Sequence, residues 1–249
     1  MTSLIAFIVV FTIIVLVHEL GHFIAARHSG IKVYEFSIGF PFSPKIATLF
    51  RHKETSFTLR LLPLGGFVSF SEGGDVEAKE LFEASWFKRA LIMSAGSLFN
   101  VFFAFLIFTT VFVIGKHLPF SDAVFLSAKM LWEILAGTAV FIFNLISGGG
   151  SMEGLTGPVG IASLAGQAAS KGLLNLMYFT GILSMSLGII NLLPLPALDG
   201  GQLSMLLIEA IRKKPLSLRT YQVVTVLGMS LFIILTVIAT YRDIVGLVT

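Results

Sequence analysis

The chain has 249 residues, 55% of them hydrophobic and only 12% charged, with a mean hydropathy of +0.92; soluble domains carry about 25% charged residues, so a soluble fold is excluded and a polytopic α-helical membrane protein is expected. Cysteine is absent, which rules out disulfides and thiolate metal sites and leaves any metal to His, Asp or Glu. The net charge of +3 does not argue for nucleic acid, because in a membrane protein an excess of Lys and Arg marks the loops on one side.

The first apolar run, about 4–26, continues past the length of a signal-peptide core without a cleavage site and reads as a retained transmembrane helix. Its second half, VLVHELGHFIAARHSG over 15–30, buries ionisable side chains where hydrocarbon makes them costly. Residues four apart share a helix face, so His18 and His22 can offer imidazole nitrogens to one zinc ion, with Glu19 beside them as a base for water. An isolated HExxH match is only moderately specific. Its place inside a membrane helix strengthens it, since a bound cation explains why three ionisable groups sit there. A catalytic zinc usually takes three protein ligands. His28 matches the spacing of an extended HExxHxxGxxH motif, but Ala25 replaces the glycine that turns the chain back. On a continuous helix His28 lies about 240° round and about 9 Å along from His22. It is assigned to the cytoplasmic interface.

Residues 31–70 form a β-rich loop. KVYEFSIGF over 32–40 and TSFTLRLL over 55–62 alternate in character with period two, Phe57, Leu59 and Leu61 opposing Ser56, Thr58 and Arg60. Pro63, Gly65 and Gly66 break the second strand before FVSF. A small membrane-associated hairpin or sheet is expected, and its edge, with Thr58 as a test position, could receive an extended peptide. SEGGDVEAKE over 71–80 reads as a solvated connection.

A second spanning helix is expected at about 90–115, a third at 173–193 and a fourth at 223–241. The run from 122 to 146 gathers Asp122, Lys129 and Glu133 on one side, which suits an amphipathic helix at the membrane surface. GGGS over 148–151 reads as a connector. After the third run comes NLLPLPALDGGQ over 191–202, in which Pro194 and Pro196 interrupt the helix at membrane depth. Asp199 is the only acid between Glu153 and Glu209. It is the preferred third metal ligand, with a helix N-cap as the competing role.

Nine Lys and Arg fall between Arg27 and Arg89, and four more lie within 212–219. With four spans both basic regions share one side, which the positive-inside rule makes cytoplasmic, with both termini outside. His18 and Asp199 then lie at similar depth toward the cytoplasm.

HELGHF near the N-terminus, GPVGIA at 157–162 and NLLPLPALDGG at 191–201 together resemble the site-2 protease family of intramembrane zinc metalloproteases, especially the bacterial branch containing the regulator of sigma E protease. The resemblance covers nearly the whole chain as one domain, 1–249. It implies Zn2+ held by His18, His22 and Asp199, with Glu19 as general base or acid. Asn191 resembles a residue that holds substrate, with Pro194 and Pro196 shaping the same segment, although Asn191 could equally bridge helices. Asn100 reads as structural glue, and Ser186 stands where relatives often carry another Asn. The family implies a bacterial inner-membrane location and transmembrane protein substrates in the lipid bilayer, such as membrane-anchored regulators or signal-peptide remnants. One departure is the interval 116–172, too short for the surface helix and an ordinary PDZ domain. Two other classes compete: a noncatalytic metal-binding scaffold, which leaves Glu19 unexplained, and a metal-ion transporter, which would need a polar path through the second and fourth spans.

Overall fold

The computed structural model describes residues 2–40, 43–62, 65–71, 79–148 and 156–248. The chain begins with the helix α1 (Thr2–His28), followed by four strands, β1 (Glu35–Ile38), β2 (Lys45–His52), β3 (Thr55–Arg60) and β4 (Gly66–Ser69). Among the described residues the helices that follow are α2 (Lys79–Glu83), α3 (Trp86–Lys116), α4 (Phe120–Ile146), α5 (Pro158–Ser170), α6 (Leu173–Asn191), α7 (Asp199–Arg212) and α8 (Leu218–Val248). Among the described residues five helices, α1, α3, α4, α6 and α8, are long and apolar enough to cross a membrane. The protein is an integral membrane protein.

Helix α3 is the central post, with α1, α4, α6 and α7 packed around it. Its first half joins Ala25 and Ala26 of α1 and Leu206 of α7 in one apolar cluster through Ile92, Met93 and Ala95. Its second half forms another with α4 and α6, in which Phe108 and Phe112 meet Ala123 and Met185. Between them the helices approach closely. A Cβ on Gly21 would lie 2.5 Å from the Ala95 carbonyl oxygen, so only glycine permits this crossing of α1 and α3.

The two ends of the bundle are tied differently. At one end Arg89 of α3 donates to Glu209 of α7 at 2.7 Å and to the Tyr221 hydroxyl of α8 at 2.8 Å. Tyr221 and the Leu216 amide also donate to Glu209, so the buried carboxylate is fully paired, as burial of charge requires. At the opposite end Asp243 of α8 accepts the amides of Gly157 and Gly160, at 3.1 and 2.7 Å. A carboxylate at a helix N-terminus satisfies donors that the first turn leaves free. Helix α5 is held there between α8 and the start of α1, where Gly166 packs on Ser3.

The loop after α1 is a four-stranded sheet in the order β2-β3-β1-β4. Strands β1 and β3 pair in parallel, Phe36 opposite Phe57, while β4 and β2 flank them antiparallel. The expected alternation holds: Phe36 and Phe57 meet Phe23 of α1, with ring centroids 5.6 and 5.8 Å from it. On the other face Glu35 accepts from Thr58 at 2.6 Å and Arg60 at 3.1 Å. The edge, however, is elsewhere. Thr58 pairs with both Ser37 and Thr48, so β3 is interior, and among the described residues β4 is the terminal strand beside the helices. Strand β2 was not expected, and its register shifts between Lys45 and Ala47 and between Thr48 and Phe50 explain why: two irregularities erase the period of two.

Helix α4 matches the expected run at 122–146, with Lys129 and Glu133 paired at 3.9 Å. Its outer side is not wholly polar, since Phe125 and Trp132 are also exposed. Pro63, most of 71–80 and most of the 148–151 connector lie outside the described residues.

Candidate metal centre

His18 and His22 stand one turn apart on the buried face of α1. Their Nε2 atoms are 3.2 Å apart, and Oδ2 of Asp199 lies 3.1 Å from the first and 3.3 Å from the second. This near-equilateral triangle has the right size for one zinc. Bonds of about 2.0–2.1 Å at tetrahedral angles put ligand atoms about 3.3 Å apart. Among the described residues this is the group of three metal-capable side chains that comes together. His28 ends α1 outside it, its Nδ1 against the Ile24 carbonyl.

The chemistry of the donor set supports a cation. His22 Nδ1 lies 2.7 Å from the Ile92 carbonyl oxygen, which places a hydrogen on Nδ1 and leaves Nε2 of the neutral ring with a bare lone pair. That lone pair faces Asp199 Oδ2, a buried oxygen without a hydrogen-bond partner. Two lone pairs at this separation repel unless a positive charge, either a ring proton or a metal ion, lies between them. The Ile92 contact is also what a zinc-ligating histidine ordinarily makes with its second nitrogen.

Local structure explains how Asp199 arrives. The chain leaves α6 at Asn191 and makes a tight turn in which the Leu195 amide reaches back to Leu193. Ala197 has φ +75, an uncommon conformation for a residue with a Cβ. Helix α7 then starts directly under the turn. A Cβ on Gly200 would strike the carbonyl groups of Leu192 and Leu193, so glycine is required next to the ligand. The N-cap alternative for Asp199 does not hold. Leu198 occupies the cap position, no side chain caps the helix, and Asp199 turns to the histidines instead.

A cavity of about 450 Å³ opens beside the triangle, lined by Glu19, Asn191 and Leu187 together with Phe67 and Val68 of the edge strand β4. Glu19 interacts with the Val68 backbone, and its Cγ lies beside Gly66. Glu19, the triangle of His18, His22 and Asp199, and the outer side of β4 therefore share one space. Asn191 thus faces the cavity, whereas Pro194 is exposed and Pro196 packs against Gly228 of α8. The two prolines shape the turn without lining the space.

Two residues of α3 complete the centre. A Cβ on Gly96 would collide with Nε2 of His22 and come within 2.8 Å of Nε2 of His18. Asn100 is fully buried with its amide nitrogen 3.4 Å from His18 Nδ1. Neither role was expected; the small residues of SAGS over 94–97 are the signal that could have marked a close crossing. Gly96→Ala is expected to weaken zinc binding by about 5- to 150-fold, the equivalent of a 1–3 kcal/mol overpacking penalty. Zinc retained by the purified variant against a graded chelator checks this.

Residues 6–235 match the model of peptidase family M50. A chain of Agrobacterium fabrum carrying a zinc metalloprotease name is 25% identical over 364 aligned positions, covering 98% of this chain and 96% of that one. The alignment is longer than the 249 residues here, so the relative holds residues that this chain lacks. The zinc metalloprotease RasP of Geobacillus kaustophilus is 40% identical over 143 residues, 54% of this chain and 33% of its own. The regulator of sigma-W protease RasP of Bacillus subtilis is 38% identical over 123 residues, 49% of this chain and 29% of its own.

Proposed function

The chain belongs to peptidase family M50 and is a zinc-dependent membrane protease; we propose that its active site is the triangle of His18, His22 and Asp199 with Glu19 beside it, and that it cuts peptide bonds within or near transmembrane segments. The observation that carries this reading is the 3.1–3.3 Å spacing of three ligand atoms next to a cavity that also holds Glu19 and a strand edge. Zinc held there supplies a Lewis acid for the scissile carbonyl and lowers the pKa of water. Glu19 accepts the proton of the attacking water and returns it to the departing amide nitrogen. Asn191, at the end of α6, holds the substrate backbone, and Pro194 and Pro196 keep the turn that presents both Asn191 and Asp199.

Four helices cross the membrane in this reading, namely α1, α3, α6 and α8. Helix α4 starts beside the end of α3, and α5 is tied to the end of α8 and the start of α1. Were α4 to span, residues 147–157 would have to recross at close to full extension, about 36 Å. The basic segments around Arg89 and Arg212 then lie on the cytoplasmic side with the metal centre, and both termini lie outside. The bacterial inner membrane is the proposed location. The whole chain is one protease domain without a PDZ module, since α4 and α5 take up most of 116–172.

A helix has its carbonyls engaged in hydrogen bonds, so a transmembrane substrate must unwind before a carbonyl reaches the site. Strand β4 compensates by pairing with the unwound segment. Membrane-anchored regulators are the proposed substrates, in keeping with the name of the Bacillus subtilis relative, and signal-peptide remnants are a second class. The test is cleavage of a single-span membrane protein by the purified chain. Two Ala→Gly changes near the substrate's scissile bond ease unwinding by about 2 kcal/mol and are expected to raise cleavage by up to about 30-fold. Val68→Pro removes the edge amide that also meets Glu19, so it is expected to lower cleavage through both the base and the edge, with zinc content unchanged. Indifference to both changes would count against an extended substrate.

A further inference from the structure

Asn100 offers an arrangement that the catalytic reading does not use. Its amide oxygen is buried and has no hydrogen-bond partner, while its amide nitrogen stands 3.4 Å from His18 Nδ1. If Nε2 of His18 offers its lone pair to zinc, as proposed above, the single ring hydrogen sits on Nδ1. That N–H then points at an NH2 group, donor against donor. A half-turn of the amide exchanges its oxygen and nitrogen with almost no change in shape. The half-turn removes the conflict and gives the orphaned oxygen a hydrogen.

The surroundings fix Asn100 for this role. Ser184 of α6 donates to its backbone oxygen at 2.9 Å, and Gly188 leaves room for its Cβ. His22 already has its own acceptor in the Ile92 carbonyl. Both acceptors are on α3, two turns apart, facing two histidines one turn apart on α1.

We propose that the side-chain oxygen of Asn100 accepts the Nδ1–H of His18, so that Asn100 is a positioning residue that fixes the ring and presents Nε2 to zinc. The inference rests on the metal reading of the previous subsection. Hydrogen-bond partners of this kind typically carry about 10- to 100-fold in metal affinity.

The test compares zinc affinity, by chelator competition, for the full chain in detergent and two variants. Asn100→Leu keeps the volume and removes the acceptor, and it is expected to bind zinc about 10- to 100-fold more weakly. Asn100→Asp keeps acceptors and removes the donor, and it is expected to bind at least as tightly as wild type. The cobalt-loaded Asp variant should also keep the tetrahedral visible bands of the unmodified protein. Wild-type affinity in Asn100→Leu would overturn the assignment, and so would loss of affinity in an Asn100→Asp protein whose thermal transition is unchanged. Should the Leu variant fail to fold, the Asp variant decides alone. If the unmodified chain binds no zinc, the metal reading falls and this assignment falls with it.

Discussion

Glu19→Gln is expected to lower the single-turnover rate of peptide cleavage by about 10²- to 10⁴-fold, the usual share of a general base, while the protein keeps its zinc. The two effects separate because Glu19 stands outside the ligand triangle. Gln keeps the shape of the side chain and an oxygen that can still meet the Val68 backbone, so the cavity is preserved. What is lost is a group that can take a proton from water. The measurement is cleavage of a single-span substrate together with elemental zinc analysis of the same preparation. Loss of zinc in Glu19→Gln would make Glu19 a ligand and undo the division of roles.

Asp199→Ala is expected to remove both zinc and activity. Two imidazoles remain, and a catalytic site with two protein ligands falls short of the usual three. The loss of affinity should exceed the about 10- to 100-fold that follows removal of a partner behind a ligand. His18→Ala and His22→Ala should behave in the same way. Asp199 is the discriminating case, because it comes from a different part of the chain and its approach depends on the turn over 192–198 and on Gly200. Normal occupancy and turnover in Asp199→Ala would defeat the three-ligand centre even if both histidines proved essential.

Much of this centre was legible in the sequence because its parts depend on local rules. The HELGH spacing puts two imidazoles on one helix face wherever the helix goes, and Asp199 stood out as an isolated acid beside two prolines in an apolar setting. Rejection of His28 followed from helix geometry alone, and α1 runs unbroken to that residue. Gly96 and Asn100 were not legible as parts of the centre. Their roles depend on α3 crossing α1 close enough for a methyl group to touch both rings, and neither sequence segment contains that distance. The sheet divides the same way: alternation located β1 and β3, but pairing order is a long-range property, so the edge next to Glu19 proved to be β4 and not the strand carrying Thr58. Helix α5 was not anticipated either, and α7 only as the helix implied by the N-cap alternative for Asp199. One is short and held by Asp243 from a distant helix, and the other begins immediately after a proline-rich turn.

The most direct test of the centre is zinc K-edge X-ray absorption on the zinc-loaded full chain, since it reads the coordination shell without relying on activity. The fine structure should fit four nitrogen or oxygen ligands at about 2.0–2.2 Å, with outer-shell scattering from two imidazoles, and the spectrum should be retained in Glu19→Gln. A third imidazole, a thioether sulfur, or an unchanged spectrum at full occupancy in Asp199→Ala would contradict the assignment of His18, His22 and Asp199.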